Sequence, residues 1–84
     1  MNDCLITFRS VTPAQRGEAI LRRAGILSTI SRTPKWMEEQ GCGYSLRVRH
    51  TQAQRCAQLL RTENVAFRKI YLLRENGGVE ELEI

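Results

Sequence analysis

Eighty-four residues and 9.7 kDa hold one small domain and exclude a large multi-step enzyme with its own cofactor domain. Hydrophobic residues make up 42 % and charged residues 26 %, an ordinary globular balance that excludes a disordered or fibrous chain. The net charge of +4 is uneven: residues 1–74 hold all thirteen cations against five carboxylates, a net +8, and Glu75, Glu80, Glu81 and Glu83 crowd the end. Eleven of the thirteen cations are Arg, whose planar fork suits bidentate recognition of oxyanions, so the body of the chain is expected to favour anionic partners.

In chain order, Met1-Asn2-Asp3 carries neither a basic nor an apolar leader pattern, so no signal peptide is expected. Apolar runs of at most four residues fall far short of the roughly 20 that span a membrane. Cys4 to Arg9 reads as a strand, with Cys4, Ile6 and Phe8 alternating with Leu5, Thr7 and Arg9. Thr12 is the expected N-cap of a helix, with Pro13 at its first position. Ala14, Gly17, Ile20, Leu21 and Ala24 follow at helical spacing, and Gly25 is the expected left-handed cap. Ile26 to Thr33, rich in β-branched residues, is expected as a second strand. Pro34 to Gln40 reads as irregular chain with at most one helical turn, ended by Gly41-Cys42-Gly43.

Tyr44 to Arg49 is the third strand, with Tyr44, Leu46 and Val48 facing one way and Ser45, Arg47 and Arg49 the other. Thr51 is expected to cap a second helix with Ala53, Cys56, Ala57 and Leu60 on its buried stripe, and Asn64 to end it. Val65 to Leu73 reads as the fourth strand, and Gly77-Gly78 as a turn into an acidic tail that can add an edge strand. The order predicts an α+β, ferredoxin-like βαββαβ fold over residues 1–74, with a four-stranded antiparallel sheet and both helices on one face. Residues 75–84 form the separate acidic C-terminal tail.

Three cysteines and no export pattern argue against a disulfide framework and for a reducing cytoplasm. One histidine, His50, and no metal-ligand cysteine spacing leave no metal site and no cofactor to expect; His50 reads as a loop or cap residue. Cys4 and Cys56 fall on apolar stripes and read as core. Cys42 lies between two glycines that leave it unshielded. In this topology the start of the third strand lies beside the end of the first. That sets Gly41, Cys42 and Gly43 near Arg9, Ser10 and Thr12 at a helix N-terminus, with Thr33 and Lys35 arriving from the second strand. Cations and a helix N-terminus favour a thiolate, so Cys42 is the expected reactive thiol.

The chain resembles the selenium/sulfur carrier-like family of small bacterial proteins. The matching pieces are Ile6-Thr7-Phe8-Arg9-Ser10, Glu18-Ala19-Ile20-Leu21, Gly25-Ile26, Thr33-Pro34-Lys35 and Gly41-Cys42-Gly43-Tyr44-Ser45-Leu46-Arg47. The stretch from Thr33 to Leu46 is the most specific. The family pattern has Thr-Pro-Arg and then small residues before its Cys-Gly, where this chain has Lys35 followed by Trp36-Met37-Glu38-Glu39-Gln40. The resemblance implies a carrier rather than an enzyme with turnover. Sulfane sulfur or selenium would be held as a persulfide or selenopersulfide on Cys42. It would pass from a donor such as a cysteine desulfurase to an acceptor protein.

Two other readings use the same residues. Thr7, Arg9, Arg47 and Arg49 would give the open sheet face a basic stripe like that of RNA-binding modules, although the aromatic of the third strand, Tyr44, has the inward parity. Binding to nucleic acid would then be weak, non-specific and carried by phosphate contacts. A homodimeric regulatory or scaffold domain needs no reactive thiol. An oligomer joined through edges or the tail is the expectation for the chain whichever reading holds.

Overall fold

The computed structural model describes residues 2–34 and 43–83. Gly41, Cys42 and Lys35, and with them Trp36, Met37 and the expected helical turn of the loop, lie outside the described residues. Strand β1 (Asp3–Phe8) leads into helix α1 (Val11–Arg23) and strand β2 (Thr29–Arg32). Strand β3 (Tyr44–Arg49), a 3-10 turn (His50–Gln52), helix α2 (Ala53–Thr62) and strand β4 (Ile70–Leu73) follow, and strand β5 (Val79–Leu82) ends the chain's ordered pattern. The sheet order is β2-β3-β1-β4-β5, with every neighbouring pair antiparallel.

Two crossovers interleave in this order. β1 and β2 run the same way with β3 between them, joined through α1. β3 and β4 run the other way with β1 between them, joined through α2. Cys4, Ile6 and Phe8 of β1, Leu46 and Val48 of β3, and Ile70 and Leu72 of β4 are buried in one cluster with Ala14, Ile20 and Leu21 of α1 and Ala53, Cys56, Ala57 and Leu60 of α2. Both helices therefore lie over the same sheet face. Gly17 of α1 lets them meet: a Cβ there would stand 3.2–3.3 Å from Leu46, Leu60 and Phe8.

The sheet has five strands, not the expected four. After β4, Gly77 adopts φ +91 and its N–H donates to the Arg74 carbonyl at 2.9 Å, turning the chain so that Val79–Leu82 pairs with β4. Ion pairs Lys69–Glu81 (3.4 Å) and Arg74–Glu80 tie the acidic strand to the cations that flank β4.

Strands β2 and β4 also start later than expected, for one shared reason. Ile26 N–H donates to Leu21 O at 2.9 Å and Gly25 N–H to Arg22 O at 3.0 Å, with Gly25 at φ +80. At the end of α2, Val65 N–H donates to Leu60 O at 2.9 Å and Asn64 N–H to Arg61 O at 3.1 Å, with Asn64 at φ 58. Both helices thus close in a Schellman motif whose hydrophobic last residue packs on the helix it ends. Ile26 and Val65 are cap residues, and their N–H groups are not free for a sheet ladder.

Helix starts differ from expectation as well. Ser10, in extended backbone, is the N-cap of α1, so Thr12 is the second helical residue and Pro13 the third. Thr51 falls within the 3-10 turn, and Gln52 precedes α2.

Candidate functional site

The end of β1 and the start of β3 meet at one rim. Phe8 pairs with Tyr44, and Arg32 of β2 pairs with Tyr44 from the other side. Thr33 N–H donates to the Gly43 carbonyl at 2.9 Å, carrying the β2–β3 ladder one step past the strands. Gly43 and Thr33 are buried, whereas Arg9, Ser10 and Thr12 are exposed. Arg9, Ser10, Gly43 and Thr33 are thus brought to one rim, and Thr12 stands in the first turn of α1 beside it. Cys42 is joined to Gly43 by the peptide bond and itself lies, with Gly41 and Lys35, outside the described residues.

The helix at this rim starts without local compensation. Ser10 makes no side-chain capping bond and the first turn holds no acidic residue, so its N–H groups present positive potential to an anion. Arg9 precedes it on the chain. Arg32 reaches over the Tyr44 ring, 5.9 Å from its centre. An electropositive start of this kind lowers the proton affinity of a thiol placed by it.

The other two cysteines sit in the opposite environment. Cys4 and Cys56 are free thiols with 0 % exposure. Burial pushes the Cys4 thiol up to about 11, with the Asp3 carboxylate adding to it. Burial likewise pushes Cys56 up to about 11, with Arg55 opposing and Cys4 adding. Neither forms a thiolate near neutral pH. Sequence pattern alone placed both in the core, and there they are.

The open sheet face is not the continuous basic stripe that alternation suggests. Arg47 Nε donates to Asp3 Oδ2 at 2.8 Å. Thr7 is buried at 3 % exposure and Ser45 at 0 %. The Thr7 hydroxyl donates to the Lys69 carbonyl at 3.1 Å and accepts from the Lys69 N–H at 3.0 Å. The Arg68 N–H donates to the Thr7 carbonyl at 2.7 Å, so two residues face one across the ladder, as in a β-bulge. Arg49 remains exposed on this face.

Sequence reasoning missed Ser45. Its hydroxyl and that of Thr33 are buried without a hydrogen-bond partner. Cross-strand register carries the signal that could have found it: Ser45 stands between Thr7 of β1 and Ser31 of β2, a row of three hydroxyls across the sheet. His50 heads the 3-10 turn at the other end of β3, as expected, and borders a groove of ≈ 590 Å³ between α2 and β5 with Gln54, Gln58, Arg61 and Glu83. Among the described residues no three His, Cys, Asp or Glu side chains cluster as metal ligands, and no helix is long and apolar enough to cross a membrane.

The chain matches the family model described as "Putative Se/S carrier protein-like" over residues 3–72. It belongs to that family of selenium/sulfur carrier-like proteins. No curated protein and no solved structure matches it.

Proposed function

We propose that the chain carries sulfane sulfur or selenium as a persulfide or selenopersulfide on Cys42, between a donor such as a cysteine desulfurase and an acceptor protein. The ferredoxin-like arrangement of residues 1–74 serves as the scaffold, with 75–84 as an acidic tail, in a reducing cytoplasm. The supporting observation is the contrast among the three thiols: Cys4 and Cys56 are sealed in the core with raised proton affinity, which leaves Cys42 as the nucleophile.

In the transfer, the Cys42 thiolate attacks the terminal sulfur of a donor persulfide. A new S–S bond forms, the donor S–S bond breaks, and the donor thiolate leaves with that electron pair. Passing the terminal sulfur to an acceptor thiolate reverses the roles and releases Cys42 as thiolate. No external oxidant is needed, because the sulfur keeps its oxidation state throughout. Arg9 and the uncapped start of α1 stabilise the anionic forms. In this reading the small flanking residues Gly41 and Gly43 serve access of a partner's sulfur, and Ser10, Thr12, Thr33 and Lys35 are assigned to binding it.

The test is intact-protein mass spectrometry after incubation with a desulfurase and cysteine, or with selenocysteine. The expected product is a gain of one sulfur or one selenium atom, mapped to Cys42 and reversed by a thiol. Cys42→Ser should gain nothing while keeping the wild-type melting temperature. An adduct that persists in Cys42→Ser, or none in the wild type, defeats the reading.

A further inference from the structure

Among the described residues, β2 and β5 each have a neighbouring strand on one side only. An edge strand offers backbone N–H and C=O groups to any further strand, and natural folds usually blunt it with charge. β5 is blunted: Glu80 and Glu81 fill its middle and Glu83 follows it. β2 reads Thr-Ile-Ser-Arg, and its one charge, Arg32, is at its end and lies over the Tyr44 ring. Just before β2 stands Leu27, 89 % exposed, in a groove of ≈ 160 Å³ that it shares with Glu18, Arg22, Ile26 and Ser28. A single exposed leucine is ordinary on a protein surface. At an unblunted sheet edge it adds an apolar anchor to a pairing site.

Backbone alternation decides which groups this edge presents. Thr33 N–H donates to the Gly43 carbonyl at 2.9 Å, so Thr33, Ser31 and Thr29 are the residues whose N–H and C=O face β3. Ile30 between them turns its N–H and C=O outward. A second copy of β2, related by a two-fold axis through Ile30, can exchange both groups with it. Thr29 then falls opposite Ser31, Ser28 opposite Arg32 and Leu27 opposite Thr33, and no two like charges oppose.

Helix α1 supports the same axis. Glu18 and Arg22 lie one turn apart in the groove at this edge, with 3.6 Å between their charged groups. A two-fold axis runs the two copies of α1 antiparallel and sets Glu18 of each toward Arg22 of the other. The same operation fails at β5. It brings Glu80 onto Glu80 or Glu81 onto Glu81, and like charges directly opposite are destabilising.

We propose that the chain forms a two-fold dimer through β2, with the two sheets joined across Ile30 and Leu27 of each copy packed at the seam. The same patch meets itself, so the contact closes at two copies. It rests on none of the chemistry proposed for Cys42.

The experiment is sedimentation equilibrium of the full chain, with a thiol reductant present, from micromolar to millimolar concentration. The wild type should pass from 9.7 kDa to twice that mass as concentration rises. Leu27→Asp should raise the dissociation constant about a hundredfold, because two leucines lose their cover, and should keep the far-UV circular dichroism of the wild type. Glu18→Lys and Arg22→Glu should each weaken the dimer, and the variant carrying both should recover most of that loss. By NMR, hydrogen exchange at the Ile30 amide should slow as the dimer forms and stay fast in Leu27→Asp. A wild type that stays at 9.7 kDa throughout, or that assembles beyond two copies, overturns the proposal. So does a dimer that Leu27→Asp leaves intact, or a doubly reversed variant that recovers nothing. Slowed exchange at Val79 in place of Ile30 puts the contact on β5 and overturns it as well.

Discussion

The two crossovers of this chain are built alike and end alike, but they begin differently. Each closes its helix with the same pair of bonds: Ile26 to Leu21 with Gly25 to Arg22, and Val65 to Leu60 with Asn64 to Arg61. At their starts, β1 passes to α1 through Arg9 and Ser10 with no intervening turn. β3 passes to α2 through the 3-10 turn His50–Gln52 at the other end of the sheet. The neighbouring strand start is Gly43 in the first case. In the second it is Asn2, whose carbonyl accepts the His50 N–H at 3.2 Å. One scaffold thus offers two related ends. Both helix starts lack a side-chain cap, but the Gly43 end adds a glycine and two unpaired hydroxyls. Helix closure serves stability and is kept the same in both halves. The helix starts are where the halves diverge, and there a site can be built without disturbing the core.

The strongest way to break this comparison is to force the two halves apart. At Gly17 α1 packs tightly on the other half, with Leu46 and Leu60 each 3.2 Å from where a Cβ would stand. Gly17→Leu should lower unfolding free energy by about 3 kcal/mol through overpacking, measured by urea denaturation. Gly17→Ala should change it little, because helix propensity gains about what the tight contacts lose. A Leu variant as stable as wild type would mean that the halves do not meet there.

Alkaline pH tests the core side of the contrast. The native Cys4 and Cys56 thiols are raised from 9.0 to about 11, so the unfolded chain releases these protons first. Their contribution is complete below pH 9 and is lost as pH rises through 11. By pH 10 the loss should be about 1 kcal/mol for each thiol. The Cys4→Ala/Cys56→Ala double variant should lose correspondingly less between pH 7.5 and pH 10 than the wild type in the same urea titrations. Parallel pH profiles would show that the thiols are not shielded as the fold has them.

A smaller loss belongs to Cys56 alone. Cys56→Ala removes one buried sulfur and should cost about 1 kcal/mol at neutral pH, with the sulfur adduct on Cys42 unaffected. An adduct lost in this variant would move the chemistry into the core and away from the Gly43 end.

Most of the element order was legible because it depends on local chemistry. Alternation in Cys4–Phe8 and Tyr44–Arg49, helical spacing around Gly17 and Cys56, and the left-handed residues Gly25, Asn64 and Gly77 all report backbone needs that a short window contains. Starts of β2 and β4 were not legible, since Ile26 and Val65 suit a strand and a Schellman cap equally well, and only the long-range ladder decides. The grouping of Arg9, Ser10, Thr33 and Gly43 followed from topology, so it was readable once the strand order was inferred. Ser45 and Thr33 as buried, unpaired hydroxyls were not. Alternation reports which face a residue occupies, and it assigned Ser45 to an open face; it carries no information about what shields that face.

The open face supplies the smallest expected effect. Asp3 Oδ2 accepts from Arg47 Nε at 2.8 Å, and both side chains are substantially exposed, at 32 % and 54 %. Such a pair contributes only a few tenths of a kcal/mol, because solvent screens it and two flexible side chains must be held. Asp3→Asn should therefore leave the urea midpoint almost unchanged. Its effect on the surface should be larger. The substitution removes one negative charge and releases Arg47 beside Arg49, restoring part of the basic stripe that strand alternation anticipates. A polyanion should then bind more tightly at low salt, and the dependence of log K on log salt should steepen by about one phosphate contact. Titration of a fluorescent single-stranded oligonucleotide at several salt concentrations measures both quantities. Unchanged affinity and slope would show that this face does not meet phosphates at all. Tight binding by the unsubstituted chain at physiological salt would instead make the open face, not the Gly43 end, the working surface of the molecule.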